Sequence, residues 1–266
     1  MTKRYAVIGD PVSHSLSPLI QSGWIADHGL DATYEVFQLR SEDPVAAIRG
    51  LTQFAGMNVT VPHKEPAAAA ADRSDSPVAN VLRREPDGSL SAFNTDGPGF
   101  LNALDEAAPV WRRSVKRVLV LGAGGAAQGI ARALSPHVQT IAFANRTRPR
   151  AELAAKAVSG AVVRDWSDLA RAFADADLIV QATTLGMAGT ESPAWPVDVC
   201  SPETIVIDIV YRPLETPFLA AARSRGLTAV DGLGMLIHQG ALSFEIWFGI
   251  RPDVAKARAR LEAALA

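Results

Sequence analysis

The run VLVLGAGGAAQG, residues 118–129, constrains this chain more than any other stretch. An apolar strand-like segment runs directly into Gly122, and a helix-like pattern of small and apolar residues follows. Gly122, Gly124 and Ala127 fall on the spacing G-x-G-x-x-G/A, with Ala123, Gly125 and Ala126 completing the loop. The first glycine permits a tight turn, the second lets backbone approach a pyrophosphate, and the small third residue allows close helix packing. The helix N–H groups then face the anion. A strand, this loop and a helix in that order predict a Rossmann βαβ unit that holds a dinucleotide.

The next strand end bears on which dinucleotide. AFANRTRPR, residues 142–150, places Asn145 where a carboxylate would meet a ribose 2′-hydroxyl. Arg146, Arg148 and Arg150 surround Thr147 with cations able to pair with a 2′-phosphate. The pattern points to NADP rather than NAD, with Arg146 and Arg150 the better candidates. A solvated basic helix start is the plain alternative.

Around this unit, short β-rich runs alternate with helical patterns along the 266 residues. RYAVIG, ATYEVFQL and MNVTVP read as strands separated by helices over 18–28 and 43–53, and NVLRREPDGSLSAFN as two extended segments about a Pro-Asp-Gly turn. A helix over 97–108 leads into a strand at 116–121, a helix at 125–135, a strand at 138–144 and a helix at 148–157. DLIVQAT and TIVIDIV are continuous apolar runs suited to a parallel sheet buried on both faces. Helices at 233–248 and 252–265 follow a last short strand. The fold class is α/β with two domains: an N-terminal α/β substrate-binding domain, 1–100 with 236–266, and a Rossmann dinucleotide-binding domain, 101–235.

A formal net charge of −2 with dispersed cations gives no electrostatic footprint for nucleic acid or an anionic membrane. The single cysteine, Cys200, excludes an internal disulfide and has no metal-spaced ligands beside it in sequence, so no metal is expected. No run reaches bilayer length and the N-terminus lacks a signal-peptide pattern, which suggests a cytoplasmic protein. A small-molecule partner fits best, with the chain a monomer or homodimer.

A dinucleotide fold fixes no reaction, so the other domain must supply chemistry. MNVTVPHK spaces Asn58 and Thr60 to one face of a strand, with Lys64 just beyond its end. FNTDGPG ends an extended segment with Asn94, Thr95 and Asp96. A lysine can give a proton to a developing alkoxide or take one from a hydroxyl as hydride leaves. Alone, Lys64 reads as a surface charge and Asp96 as a helix N-cap. HSLSP, residues 14–18, makes Ser17 before Pro18 a good N-cap and leaves Ser15 outside that cap, available to an anion at the helix start.

Taken in order, HSLSP, NVTVPHK, the Asn80 region, NTDG, GAGGAAQG, NRTRPR, VYRPLETPFL and DGLGMLIHQGALSFEIW resemble the shikimate dehydrogenase family over nearly the whole chain. The resemblance implies reversible NADPH-dependent reduction of 3-dehydroshikimate to shikimate. It makes Lys64 the general acid or base, paired with Asp96 on a ring hydroxyl. Ser15 and Ser17 would bind the substrate carboxylate, Thr60, Asn80 and Gln239 would hold ring hydroxyls or the carboxylate's surroundings, and Tyr211 would approach the carboxylate. On the cofactor side it implies Gly122 to Ala126, Asn145 to Arg150, and Ile209 and Gly232 near the nicotinamide. His14 is assigned to structure, and Asn58 to shaping the pocket. A polyhydroxylated ring acid needs many neutral hydrogen-bonding groups, and Ser, Thr, Asn and Gln supply them.

The link from Lys64 to Asn80 is short for the family, Val81 follows Asn80 where threonine is usual, and Phe93 stands where a small or acidic residue is usual. The last bears on the choice between shikimate and quinate. Other readings are a quinate or shikimate dehydrogenase of relaxed substrate and cofactor choice, and a non-catalytic dinucleotide-sensing protein. A methylenetetrahydrofolate dehydrogenase-like enzyme would share the two-domain plan, but the serine and NTDG motifs do not suggest a folate site.

Overall fold

The computed structural model describes residues 2–74 and 76–265. Met1 and Ala266, the outer bounds of the expected substrate-binding domain, lie outside them. The chain divides into two compact units: residues up to Thr95 with Ile237–Ala264, and Asp96–Leu236.

The first unit begins β1 (Lys3–Gly9), α1 (Ser17–Asp27), β2 (Ala32–Gln38), α2 (Pro44–Gly50), β3 (Gly56–Val59), α3 (Lys64–Ala70), β4 (Arg73–Ser74), β5 (Val81–Arg84) and β6 (Leu90–Phe93). Its sheet runs β2-β1-β3-β5-β6-β4. β1 is parallel to β2 and β3, whereas β5 is antiparallel to both β3 and β6. The start of β5 and the ends of β1, β3 and β6 therefore share one edge of the sheet. The Pro-Asp-Gly turn closes the β5–β6 hairpin with Gly88 at φ +85°, a conformation that costs glycine little.

The second unit comprises α4 (Asp96–Ala107), α5 (Trp111–Ser114), β7 (Arg117–Leu121), α6 (Gly125–Leu134), β8 (Thr140–Ala144), α7 (Arg148–Lys156), β9 (Val162–Arg164), α8 (Leu169–Ala174), β10 (Leu178–Gln181), β11 (Ile205–Asp208), α9 (Pro217–Ser224) and β12 (Thr228–Val230). Its strands are all parallel, in the order β12-β11-β10-β7-β8-β9. The order reverses between β7 and β10, where open α/β sheets bind their ligands. Val118, Val120, Leu178 and Val180 enter one core, and Leu119, Leu121, Ile179 and Val206 the other. Period-two alternation between two buried faces explains why these strands read as unbroken apolar runs.

The expected boundary at 100/101 bisects a helix that in the fold stays whole. Phe100 and Leu104 of α4 join the second unit's core, and a Cβ on Gly97 would meet Ala133 Cβ at 2.8 Å on α6. The chain then returns through α10 (Leu233–Phe248), started by Asp231, whose carboxylate accepts from Leu233 N at 3.0 Å, and α11 (Val254–Leu265). Within the first unit, Trp247 and Phe248 pack on Tyr5 with ring centroids 5.0 and 4.8 Å apart, and Phe244 packs on Trp24.

Candidate functional site

At the shared edge of the first sheet, Thr60 follows β3, Lys64 opens α3 and Asn80 precedes β5. The Asn80 side chain is the organiser. Its Nδ2 donates to Thr95 Oγ1 at 2.9 Å and to Gln239 Oε1 at 3.2 Å, and its Oδ1 accepts from Thr95 N at 2.7 Å. Gln239 comes from α10, 159 residues along the chain. Thr95 also donates to the Gln239 carbonyl at 3.1 Å. Asn80, Thr95 and Gln239 thus form one neutral polar group. Lys64 is tied to the same region through its carbonyl, which accepts from Ala79 N at 2.8 Å.

Neighbouring groups have other work. His63 is buried and donates from Nε2 to Leu39 O at 2.9 Å. Hydrogen bonding from Gln38, with Arg40 nearby, holds the Asp10 carboxyl below its ordinary range. Both side chains are thus engaged within the first unit, beside the start of α3 where Lys64 stands.

Asn58 lies beneath. It accepts from Tyr34 OH at 2.7 Å and donates to Ser243 Oγ at 2.8 Å, while Ser17 bonds the Tyr34 hydroxyl. Burial holds the Tyr34 phenol well above its usual value, so it stays a neutral donor. This buried chain joins α1, β2, β3 and α10.

The serine pair needs a correction. Ser17 is not the N-cap of α1: Leu16 holds that position, no side chain caps it, and Ser17 begins the helix itself with Pro18 next. The local contact belongs to Ser15, whose hydroxyl accepts from Ser17 N at 3.2 Å. Ser15 keeps its hydroxyl proton for a ligand, and His14 is exposed.

In the second unit Gly122 has φ +108°, and Gly124 caps α6 with no side-chain hydrogen bond. A Cβ on Gly124 or Gly125 would meet nothing within 4 Å. Packing therefore does not require glycine there, and the empty space lies at a helix start whose N–H groups face outward, which suits a pyrophosphate. Ala127 is fully buried against the sheet. β8 lies beside β7, so Asn145 and the following turn stand next to this loop.

Asn145 Nδ2 donates to Thr147 O at 2.9 Å and shapes that turn. Arg148 is engaged with Glu152 at 3.0 Å and Asp165 at 3.3 Å. Arg146 and Arg150 are exposed and make no ion pair among the described residues. With no carboxylate at the strand end and two uncommitted guanidiniums, the residues fit a 2′-phosphorylated dinucleotide.

Ile209 follows β11 with its N–H bonded to Gln181 O at 3.0 Å, and a Cβ on Gly232 would overlap the Ile209 carbonyl. Gly232 is thus glycine because a backbone passes against it. Burial raises the pKa of the half-buried Tyr211 phenol, which keeps it protonated. Asp96 is buried as the first residue of α4. Thr95, Tyr34 and Ser243 were not singled out as site residues in sequence; only Thr95, inside NTDG, carried a local signal. Among the described residues no group of three or more His, Cys, Asp or Glu could hold a metal ion, and no helix is long and apolar enough to cross a membrane.

Three family descriptions match the chain: shikimate dehydrogenase substrate binding domain over residues 7–81, shikimate / quinate 5-dehydrogenase over 106–192, and shikimate 5′-dehydrogenase C-terminal domain over 232–262. An NADP(+) shikimate dehydrogenase of Mesorhizobium japonicum is 44% identical over 274 residues, covering 99% of this chain and 97% of the relative. The crystal structure of shikimate 5-dehydrogenase from Thermus thermophilus in complex with NADP(H) and shikimate is 36% identical, with TM-score 0.88, covering 99% of this chain and 100% of that one. Quinate dehydrogenase from Corynebacterium glutamicum in complex with NAD is 26% identical with TM-score 0.90, covering 98% and 99%.

Proposed function

Because the chain belongs to the shikimate dehydrogenase family, we propose that it catalyses the reversible NADPH-dependent reduction of 3-dehydroshikimate to shikimate, a step toward chorismate and the aromatic amino acids. The observation that carries the reading is the neutral group of Asn80, Thr95 and Gln239, gathered at the same sheet edge as Thr60 and Lys64. Such a group suits a ring bearing several hydroxyls and penalises analogues that lack them.

When bound, the nicotinamide supplies or accepts the hydride. Lys64 handles the matching proton: in reduction its ammonium gives a proton to the carbonyl oxygen as that oxygen gains charge, and in oxidation its amine takes the hydroxyl proton. Asp96 is assigned a ring hydroxyl, which would orient the reacting carbon. Ser15 and Ser17 are assigned the carboxylate, Ser15 with a free proton to donate. Thr60, Asn80, Gln239 and Tyr211 are further substrate ligands. Gly122 to Ala126, Asn145 to Arg150, Ile209 and Gly232 are assigned to NADP. A cytoplasmic location and a monomeric or homodimeric state belong to the same proposal.

The test is to follow NADP reduction with shikimate and with quinate, and to repeat both with NAD, on the purified protein. The reading expects shikimate with NADP to give the highest kcat/KM. Efficient turnover of quinate with NAD would favour the relaxed enzyme instead, and no turnover with any pairing would exclude a dehydrogenase. Lys64→Ala should lower kcat by about 100-fold or more with a much smaller change in the KM for shikimate, because proton transfer counts chiefly in the transition state. An unchanged kcat would remove Lys64 from the chemistry.

A further inference from the structure

The second unit buries a carboxylate that the reaction above does not use. Asp208 ends β11 and is fully buried, and its partners are all neutral. Oδ1 accepts from Val210 N at 3.0 Å and from Gln181 Nε2 at 3.3 Å, and Oδ2 accepts from the Thr216 hydroxyl at 2.7 Å. Three donors converge on a group that, when ionised, only accepts, so a carboxylate satisfies them all.

Each partner carries the restraint further. Gln181, fully buried at the end of β10, accepts from Thr183 N and donates to Leu185 O at 2.8 Å. Thr216 accepts from Leu219 N at 3.3 Å and so caps α9. One side chain thereby ties the turn after β10 to the segment after β11.

Both segments rest against glycines already assigned to the cofactor. A Cβ on Gly122 would lie 2.8 Å from Ala182 O and 3.1 Å from Thr183 Cγ2, and one on Gly232 would lie 2.7 Å from Val210 O. β7 and β10 are neighbours at the point where the strand order reverses. The tied segments therefore line the mouth at which such a sheet takes its ligand.

We propose that Asp208 is a positioning residue for the bound dinucleotide, holding Ala182–Thr183 and Ile209–Val210 in one arrangement through Gln181 and Thr216. The proposal rests on the NADP reading given above. Without the carboxylate the three donors seek other acceptors and the two segments share several arrangements. A ligand that needs one of them then binds with an affinity reduced by the fraction in that state. Burial also pushes the Asp208 carboxyl up to about 6, a cost to the fold that orienting these donors explains.

The experiment compares Asp208→Ala, Thr216→Val and Asp208→Asn with the parent enzyme by NADPH fluorescence titration, steady-state kinetics and thermal melting. The expected result is an NADPH Kd raised about tenfold in Asp208→Ala, with kcat at saturating NADPH and the KM for shikimate within about twofold. Thr216→Val should show the same split more weakly. Asp208→Asn, which keeps an acceptor for Val210 and Gln181, should recover most of the affinity. A lowered melting temperature with an unchanged NADPH Kd would mean that Asp208 serves stability alone and overturns the proposal. If Asp208→Ala does not fold, Thr216→Val decides by the same criterion. If the parent binds no NADPH, the functional reading falls and takes this inference with it, whereas a binding parent with equally binding variants removes only the inference.

Discussion

Replacing Asp208 by asparagine should stabilise the protein above neutrality. The Asp208 carboxyl titrates at about 6 in the fold, against an ordinary value of 3.8, because burial disfavours its charge. A folded-state value raised in this way stabilises the fold fully below 3.8, and the contribution is lost as pH climbs through about 6. At pH 8 the ionised group therefore carries a penalty of about 3 kcal/mol, and at pH 5 about half of that. Asparagine escapes the penalty at both values and is near the right shape. It cannot accept from Thr216 while keeping Oδ1 for Val210 and Gln181, which costs about 1 kcal/mol. The net gain is about 2 kcal/mol at pH 8, or roughly 4–8 °C in melting temperature for a chain of this size. Thermal melts of parent and variant at pH 5 and pH 8 provide the test. The pH-dependent part, roughly half of the full penalty, does not depend on the hydrogen-bond correction. Equal parent-to-variant differences at the two pH values would refute the reasoning.

The two loop glycines should behave in opposite ways. Gly122→Ala places a Cβ at φ +108° and 2.8 Å from Ala182 O, so it should cost stability, about 2 kcal/mol or more in denaturant unfolding. Gly124→Ala meets nothing within 4 Å and has φ −76°, so it should unfold like the parent but lose NADPH affinity in titration; unchanged affinity would remove that space from the cofactor site. Arg146→Ala combined with Arg150→Ala should raise the KM for NADP far more than that for NAD, and equal losses would contradict a 2′-phosphate role. Ser15→Ala should weaken shikimate binding and also lower stability by about 1 kcal/mol, because Ser15 and not Ser17 makes the local contact at the start of α1. A variant as stable as the parent would show that the Ser15 contact adds nothing to the helix start.

Much of this was legible in sequence because it is local. The Gly122 loop, the Asn145 turn and the alternation of apolar runs depend on residues within a turn or two of one another. What escaped is either very short or depends on distant pairing. β9 is a three-residue edge strand, too short for a periodic signal, and β4 has only two residues. Ser17 looked like a cap because the Ser-Pro pair fits that pattern, whereas the helix begins one residue earlier. Asp208 sat inside an apolar run with no sign of its role, since its partner Gln181 lies 27 residues back on the neighbouring strand. A buried polar residue in such a run shows only that partners must exist, not which ones.

The return of α10 to the first unit also sets an order of events during synthesis. Tyr5 and Trp24 emerge from the ribosome early, but Phe244, Trp247 and Phe248, which cover them, follow only after all of residues 96–236. At translation speeds of about 5–20 residues per second the nascent first unit waits on the order of ten seconds for its cover. The second unit, continuous from Asp96 to Leu236, faces no such delay. During that interval the uncovered aromatic face of the unfinished first unit is open to chaperone capture, and to aggregation when capture fails.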